Sequence, residues 1–193
     1  MPKSRKKLSE KLSHWAEDES AWYRFCPRCG GKLLAVELDG RERRVCPKAD
    51  FVQYRNPVPA VGAFVRKDSK LLMVLRKYPP RAGLWTLPAG FMEYDEAPEE
   101  TAVREVKEET GLDVAVQNLF SVYRAGDDPR TRVVLILYEA EIVGGRLKAG
   151  DDALKAEFFP LDNLPEDIAF SAHRKALSDY LARKKKKKTQ NSC

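Results

Sequence analysis

Gly90-Phe91-Met92-Glu93-Tyr94-Asp95-Glu96-Ala97-Pro98-Glu99-Glu100-Thr101-Ala102-Val103-Arg104-Glu105-Val106-Lys107-Glu108-Glu109-Thr110-Gly111-Leu112 decides how this chain folds and what chemistry it carries. Pro98 suits the first turn of a helix and Gly111 its end, which frames a helix of about three to four turns. Ala102, Val103, Val106 and Thr110 recur at three- and four-residue spacing and form the face expected to pack on a core. Glu105, Glu108 and Glu109 recur at the same spacing on another face. Like charges so placed each destabilise an isolated helix by roughly 0.2 to 0.5 kcal/mol, which Lys107 and Arg104 only partly offset. A cation is therefore expected on that face. Carboxylate oxygens without nearby His or Cys suit a hard ion such as Mg²⁺ or Mn²⁺, which keeps waters and bridges to substrate phosphates. The simpler reading of a Glu-rich helix is a solvated acidic face, so the inference rests on the pattern as a whole.

That pattern is Gly, five residues, Glu, seven residues, Arg-Glu, an apolar residue, any residue, Glu-Glu, any residue, Gly and an apolar residue. Gly90, Glu96, Arg104, Glu105, Val106, Glu108, Glu109, Gly111 and Leu112 meet every fixed position of it. In this the chain resembles the Nudix hydrolase family. The resemblance implies an α/β fold, an α/β/α sandwich around a mixed sheet. It also implies that Glu105, Glu108 and Glu109 bind Mg²⁺ or Mn²⁺, that the Gly90 carbonyl completes the coordination, that Arg104 orients Glu105, and that Glu96 anchors the loop by pairing with Arg104. The implied reaction is metal-assisted attack of water on a phosphorus atom of a nucleoside diphosphate linked to another moiety. Such enzymes commonly add one acid from a loop outside the motif. Asp151 and Asp152 occupy such a loop, with Asp152 the candidate base and Glu157, among strand-like neighbours, a weaker one.

The flanking sequence agrees with a sheet between helices. Tyr54-Arg55-Asn56-Pro57 leads into an apolar, β-rich run from Val58 to Val65, and Lys70 to Arg76 reads as a second strand after the Lys67-Asp68-Ser69 turn. Trp85 to Pro88 delivers the chain to the motif, Trp85 reading as a packing anchor. Arg81, in the loop before it, is a candidate phosphate contact, against the plainer reading of a solvated side chain. Leu119 to Tyr123 and Arg132 to Ile142 read as strands, and a last helix from an N-capping Ser171 packs Ala172, Ala176, Leu177, Tyr180 and Leu181. The catalytic domain is drawn at residues 57–182.

Residues 1–22 form a basic extension with a short helix bearing Leu8, Leu12 and Trp15 at helical spacing. Residues 23–56 resemble a zinc ribbon, a small β module whose first knuckle is Cys26-Pro27-Arg28-Cys29-Gly30-Gly31. The second, Cys46-Pro47-Lys48-Ala49, carries Ala49 where a fourth Cys belongs. Three readings stand: Zn²⁺ on Cys26, Cys29 and Cys46 with a substitute ligand such as water or Asp50, a ribbon held by packing without metal, or a Cys26–Cys29 disulfide, which a cytosolic setting disfavours. His14, His173 and Cys193 have no spacing that links them to this module.

The 193 residues suffice for one core and a small module, and the net charge of +6 is terminal in origin. Setting aside five bases and one acid in residues 2–11 and six bases in 183–188 leaves 24 basic and 28 acidic residues, a body near −4. A basic nucleic-acid groove is thus not indicated, and residues 183–193 read as a disordered Lys-rich tail. No apolar run approaches the roughly 18 residues of a membrane span, and no signal peptide is evident, so a cytoplasmic location is expected. The expected partner is a nucleotide-type small molecule, with no membrane, no specific nucleic acid, and a homodimer as the assembly to be tested.

Outside the motif, the ribbon, Tyr54-Arg55-Asn56-Pro57, Gly83 to Gly90 and Leu164 to Ser171 are similar to zinc-ribbon Nudix proteins acting on ADP-ribose or FAD. NADH pyrophosphatases also pair a ribbon with this domain, but their Ser-Gln-Pro-Trp segment has no counterpart here. The ADP-ribose subgroup often places Pro about fifteen residues past the motif's last Gly, whereas Pro129 lies eighteen past Gly111. The alternatives are an NADH or nucleotide-sugar pyrophosphatase, sanitation of oxidised dNTPs, or a non-catalytic nucleotide- or RNA-binding module.

Overall fold

The computed structural model describes residues 23–127, 131–150 and 152–190, the last four as backbone alone. The expectations for residues 1–22, Pro129, Asp151 and Cys193 lie outside the described residues. The chain divides into two compact units between Pro57 and Val58.

In the first unit, β1 (Leu34–Leu38), β2 (Arg41–Val45) and β3 (Val52–Gln53) form an antiparallel sheet in that order. Leu38 pairs with Arg41 across a two-residue turn, in which Asp39 and Gly40 both take positive φ (54° and 70°). Asp-Gly suits such a turn because its backbone twist matches that of the strands. The core is small: Cys26, Leu33 and Cys46, with Ala49 and Phe51 against them.

The second unit contains β4 (Val58–Lys67), β5 (Lys70–Arg76), β6 (Trp85–Thr86), β7 (Ala89–Phe91), α1 (Pro98–Thr110), β8 (Leu112–Ala125), β9 (Val133–Gly145), β10 (Ala153–Pro160) and α2 (Ser171–Gln190). The sheet runs β10-β5-β4-β9-β8, with β6 beside β5 and β7 beside β4. β4 and β9 are parallel, and the other strand pairs are antiparallel, which makes the sheet mixed. Strand side chains alternate faces, and the two cores follow that alternation. Phe64, Leu71, Met73, Leu135 and Leu137 pack with Ala172, Ala176, Leu177 and Tyr180 of α2. Ala63, Val65, Leu72 and Ala140, one residue out of phase, pack with Val106 of α1. One helix therefore covers each face, giving the α/β/α sandwich. Phe64 stacks on Tyr180 at 4.2 Å and meets Phe120 edge-on at 4.8 Å. A fully buried side chain of this kind contributes about 1.5 to 3 kcal/mol.

Some sequence expectations need amendment. Val103 is 36% exposed, because the core face of α1 is centred on Thr101, Ala102, Val106 and Thr110. β8 starts directly at Leu112, seven residues before the expected Leu119. Its register shifts three times along β9, which interrupts the alternation a strand reading depends on. α2 continues through Gln190, beyond the tail boundary at residue 183, since Lys and Arg are good helix formers. Arg183 stacks on Phe120 at 4.0 Å and Lys184 pairs with Glu139 at 3.0 Å, which ties this extension to the sheet. Ser171 opens α2 but does not supply its cap. The Asp127 carboxylate accepts both its N–H (2.7 Å) and its hydroxyl (2.8 Å). Among the described residues, no helix is long and apolar enough to cross a membrane.

Candidate active site

The helix that carries the carboxylates is fixed at both ends. Ala97 is extended (φ −77°, ψ 153°), Pro98 begins the first turn, and the Glu100 carboxylate accepts the Ala97 N–H at 2.8 Å. At the far end Gly111 takes φ 72° and donates to the Lys107 carbonyl, and a Cβ there would run into the Arg146 carbonyl oxygen.

Arg104 ties the preceding loop to this helix. Its Nε and Nη2 donate to the two oxygens of Glu96 at 2.5 and 2.9 Å, a bidentate pair. Nη2 also reaches the Phe91 carbonyl at 3.0 Å, and Nη1 reaches Glu105 at 2.6 Å and Glu108 at 3.1 Å. Glu96 further accepts the Glu93 N–H and the Thr101 hydroxyl. Its hydrogen bonds from Arg104, foremost among these effects, hold its carboxyl down to about 2. Glu96 and Arg104 thus hold each other, and Arg104 presents one charge to two further carboxylates.

Glu105 lies directly over Gly90, where a Cβ would overlap its carboxylate. Only glycine lets β7 and α1 approach so closely. Glu109 is buried at 9% exposure, and its Oε2 accepts the Ala89 N–H at 3.0 Å. Burial, then the charge of Glu105, pushes its carboxyl up to about 8, against the Ala89 N–H and Arg76, with Asp152 adding to the rise. Burial also raises Glu105, opposed by Arg104. Glu108, with 60% of its side chain exposed, stands at the outer edge. The result is a set of hard oxygen donors on one helix face, two of them disfavoured as bare anions. That donor chemistry fits a divalent ion.

The loop before β10 is clamped to the end of α1: Lys148 N–H donates to the Thr110 carbonyl and Gly150 N–H to the Glu109 carbonyl, both at 2.9 Å. This holds the exposed Asp152 within electrostatic reach of Glu109, and its carbonyl accepts the Lys77 N–H at 3.1 Å. Glu157 lies in β10, exposed and 3.7 Å from Lys155. Arg81 is exposed at φ 64°, its charge acting on Asp127. Trp85 packs edge-on against Phe159 at 4.8 Å.

Two residues near the site carried no role in the sequence reading. Arg76, at the end of β5, sits 5.1 Å over the Phe170 ring, donates to the Pro80 carbonyl, and acts electrostatically on both Glu109 and His173. His173 is buried, with Nδ1 2.9 Å from the Thr86 hydroxyl and 3.3 Å from the Leu87 N–H. Burial, then Arg76, pushes it down to about 4, against the charge of Asp127. No spacing marks His173, because its partners lie 86 and 87 residues earlier.

In the first unit the sulfurs of Cys26, Cys29 and Cys46 lie within 4.8 Å of one another, with Cys29 and Cys46 3.5 Å apart. All three are free thiols, so the Cys26–Cys29 disulfide is absent. Arg28 N–H donates to Cys26 Sγ at 3.4 Å. Burial opposes ionisation of Cys46, but hydrogen bonds from the Lys48 amide, the Cys29 thiol, the Ala49 amide and the Cys26 thiol together outweigh it and lower its pKa. Ala49 packs against the cluster, and among the described residues no fourth side chain of ligand type joins it.

Comparison with known proteins places this geometry in context. Residues 56–180 match the family model for the NUDIX domain. The chain is 44% identical to an ADP-ribose pyrophosphatase from Methanocaldococcus jannaschii over 163 residues, covering 81% of this chain and 94% of that protein. It is 33% identical to the NAD-capped RNA hydrolase NudC of Vibrio atlanticus, covering 74% of this chain but about half (51%) of that relative. Among solved structures, a NUDIX hydrolase from Nitrosomonas europaea superposes with a TM-score of 0.74 at 32% identity, covering 83% of this chain and 91% of the other.

Proposed function

Because the chain belongs to the Nudix hydrolase family, we propose that it hydrolyses the pyrophosphate linkage of ADP-ribose, with Glu105, Glu108, Glu109 and the Gly90 carbonyl holding Mg²⁺ or Mn²⁺. The observation that carries the reading is the burial of Glu105 over Gly90 and of Glu109 against the Ala89 N–H, where their carboxylates are costly without a cation. A divalent ion bound there supplies Lewis-acid polarisation of a phosphoryl oxygen and acidifies a water. Arg104 fixes the direction of Glu105 and Glu108, and Glu96 fixes Arg104. Asp152 accepts a proton from the attacking water as the water oxygen bonds to one phosphorus, the bridging P–O bond breaks and the other phosphate leaves with the bridging oxygen. The products are AMP and ribose 5-phosphate. ADP-ribose is favoured over FAD by the 44% identity to the archaeal pyrophosphatase across nearly all of that protein.

The test is a Mg²⁺-dependent hydrolysis screen over ADP-ribose, FAD, NADH, NAD-capped RNA, nucleotide sugars and oxidised dNTPs. ADP-ribose is expected to give the highest kcat/KM. A higher value for any other substrate would reassign the specificity, and ligand binding without turnover would leave only a binding module.

We further infer that Cys26, Cys29 and Cys46 hold Zn²⁺, with an exogenous fourth ligand in place of the Cys that Ala49 replaces. Three clustered cysteine sulfurs, with amide donors at Cys26 and Cys46, match that ion's preference. Near-stoichiometric zinc surviving desalting is expected. Metal-free protein from zinc-supplemented expression would mean that packing alone holds the ribbon.

A further inference from the structure

We propose that His173 is a positioning residue for the hydrolytic site, its imidazole fixing the backbone that delivers Ala89 and Gly90 to Glu109 and Glu105. The inference rests on the hydrolase reading above and adds a residue to it. Its starting point is where the backbone hydrogen bonds of the lead-in segment go. β6 is paired on both sides: Trp85 and Thr86 pair with Leu75 and Val74 of β5, while Trp85 exchanges bonds with Asp167 and Ala169 on the other flank at 2.8 Å each. One residue further on this pairing ends, although Leu87 is fully buried. A buried N–H left unpaired costs about 1 to 3 kcal/mol. Here the Leu87 N–H goes to His173 Nδ1, and the Thr86 hydroxyl lies on the same nitrogen.

Leu87 N–H can only donate, so Nδ1 must be the acceptor and the neutral ring carries its proton on Nε2. The low pKa keeps it in this form throughout the physiological range. Downstream of this anchor, Pro88 O accepts the Ala63 N–H at 3.1 Å and the Ala89 N–H meets Glu109 at 3.0 Å. The anchored Leu87 amide thus stands two positions before the Ala89 N–H that meets Glu109, and three before Gly90. The segment has little slack, because a Cβ on Gly62 would overlap Ala89 and the Pro88 carbonyl. Losing the His173 anchor frees the N-terminal end of a segment whose other end must place a carbonyl and an amide against buried carboxylates.

The test compares His173→Leu, which removes the acceptor, with His173→Asn, whose Oδ1 stands where Nδ1 stood. Three quantities are measured: exchange of the Leu87 amide, Mn²⁺ affinity by EPR, and kcat and KM for Mg²⁺-dependent hydrolysis. His173→Leu is expected to speed Leu87 exchange, weaken Mn²⁺ binding and lower kcat by roughly ten- to a hundredfold, with KM within about threefold, as for loss of a group that orients metal ligands. His173→Asn is expected to restore all three to within about threefold of the parent. Retention of Mn²⁺ affinity and kcat within about twofold in His173→Leu overturns the proposal, and so does His173→Asn performing no better than His173→Leu. Should His173→Leu fail to fold, His173→Gln, whose amide extends past the Nδ1 position, takes its place in the comparison. Amide exchange and Mn²⁺ binding need no substrate, so they decide the matter even if the parent hydrolyses nothing, which would sink the hydrolase reading instead.

Discussion

Glu109→Gln is expected to lower Mg²⁺-dependent turnover by roughly 10² to 10⁴ and, at the same time, to make the metal-free protein more stable at pH 8. Both effects come from one buried carboxyl. In the fold it titrates near 8, whereas in the unfolded chain it titrates in the ordinary carboxylate range. Between about pH 4.5 and 8 the folded state therefore keeps a proton that the unfolded state has lost. Its contribution to stability is fully present below the unfolded pKa and is lost as pH rises toward the folded one. By pH 8 the loss is on the order of 4 kcal/mol in metal-free protein. Gln has no such proton, and its amide oxygen still accepts the Ala89 N–H. In EDTA, the Tm of the variant should pull ahead of the parent progressively from pH 5 to pH 8. Saturating Mg²⁺ should narrow or reverse that gap, since the parent alone gains a complete ligand set. A Tm difference that does not widen with pH, or turnover within about threefold of the parent, would contradict this account of Glu109.

Asp152→Asn is expected to cut kcat by roughly 10² to 10⁴ while leaving Mn²⁺ affinity near the parent value. Asp152 is exposed, so solvent and substrate can reach it, and it acts electrostatically on Glu109. Its backbone is held by Lys77, and the preceding turn is held by Glu109 and Thr110. Asn preserves shape but cannot take a proton at neutral pH. The split between kcat and metal affinity separates a base from a ligand: equal losses in both would make Asp152 a metal ligand. A change in kcat below about threefold would remove it from the chemistry.

What could be read in the sequence was what is encoded locally. Pro98 and Gly111 bracket the observed helix, and the spacing of its glutamates puts Glu105 and Glu108 on one Arg104 and Glu105 within charge reach of Glu109. β4 and β5 were legible because apolar runs bounded by turns depend on neighbouring residues alone. β8 was legible only from Leu119 to Tyr123, since its exposed Gln117 to Leu119 and three register shifts break any period. The cap of α2 comes from Asp127, 44 residues before Ser171, and no capping rule looks that far. The burial that lifts Glu109 is likewise tertiary: β7 and the loop before β10 close over Glu109, while Glu108 on the same face stays exposed. His173 marks the limit, as a lone histidine acquires a role only once α2 packs against the segment entering the motif.

The central claim, metal-dependent attack of water on the pyrophosphate of ADP-ribose, is tested most directly by incubating the intact chain with ADP-ribose in ¹⁸O-labelled water, first in EDTA and then with Mg²⁺ restored. The account predicts no reaction in EDTA. With Mg²⁺ it predicts AMP and ribose 5-phosphate in equal amounts, with one ¹⁸O in the phosphate of only one of them. Cleavage that persists in EDTA, or intact ADP-ribose after prolonged incubation with Mg²⁺ and Mn²⁺, would contradict it.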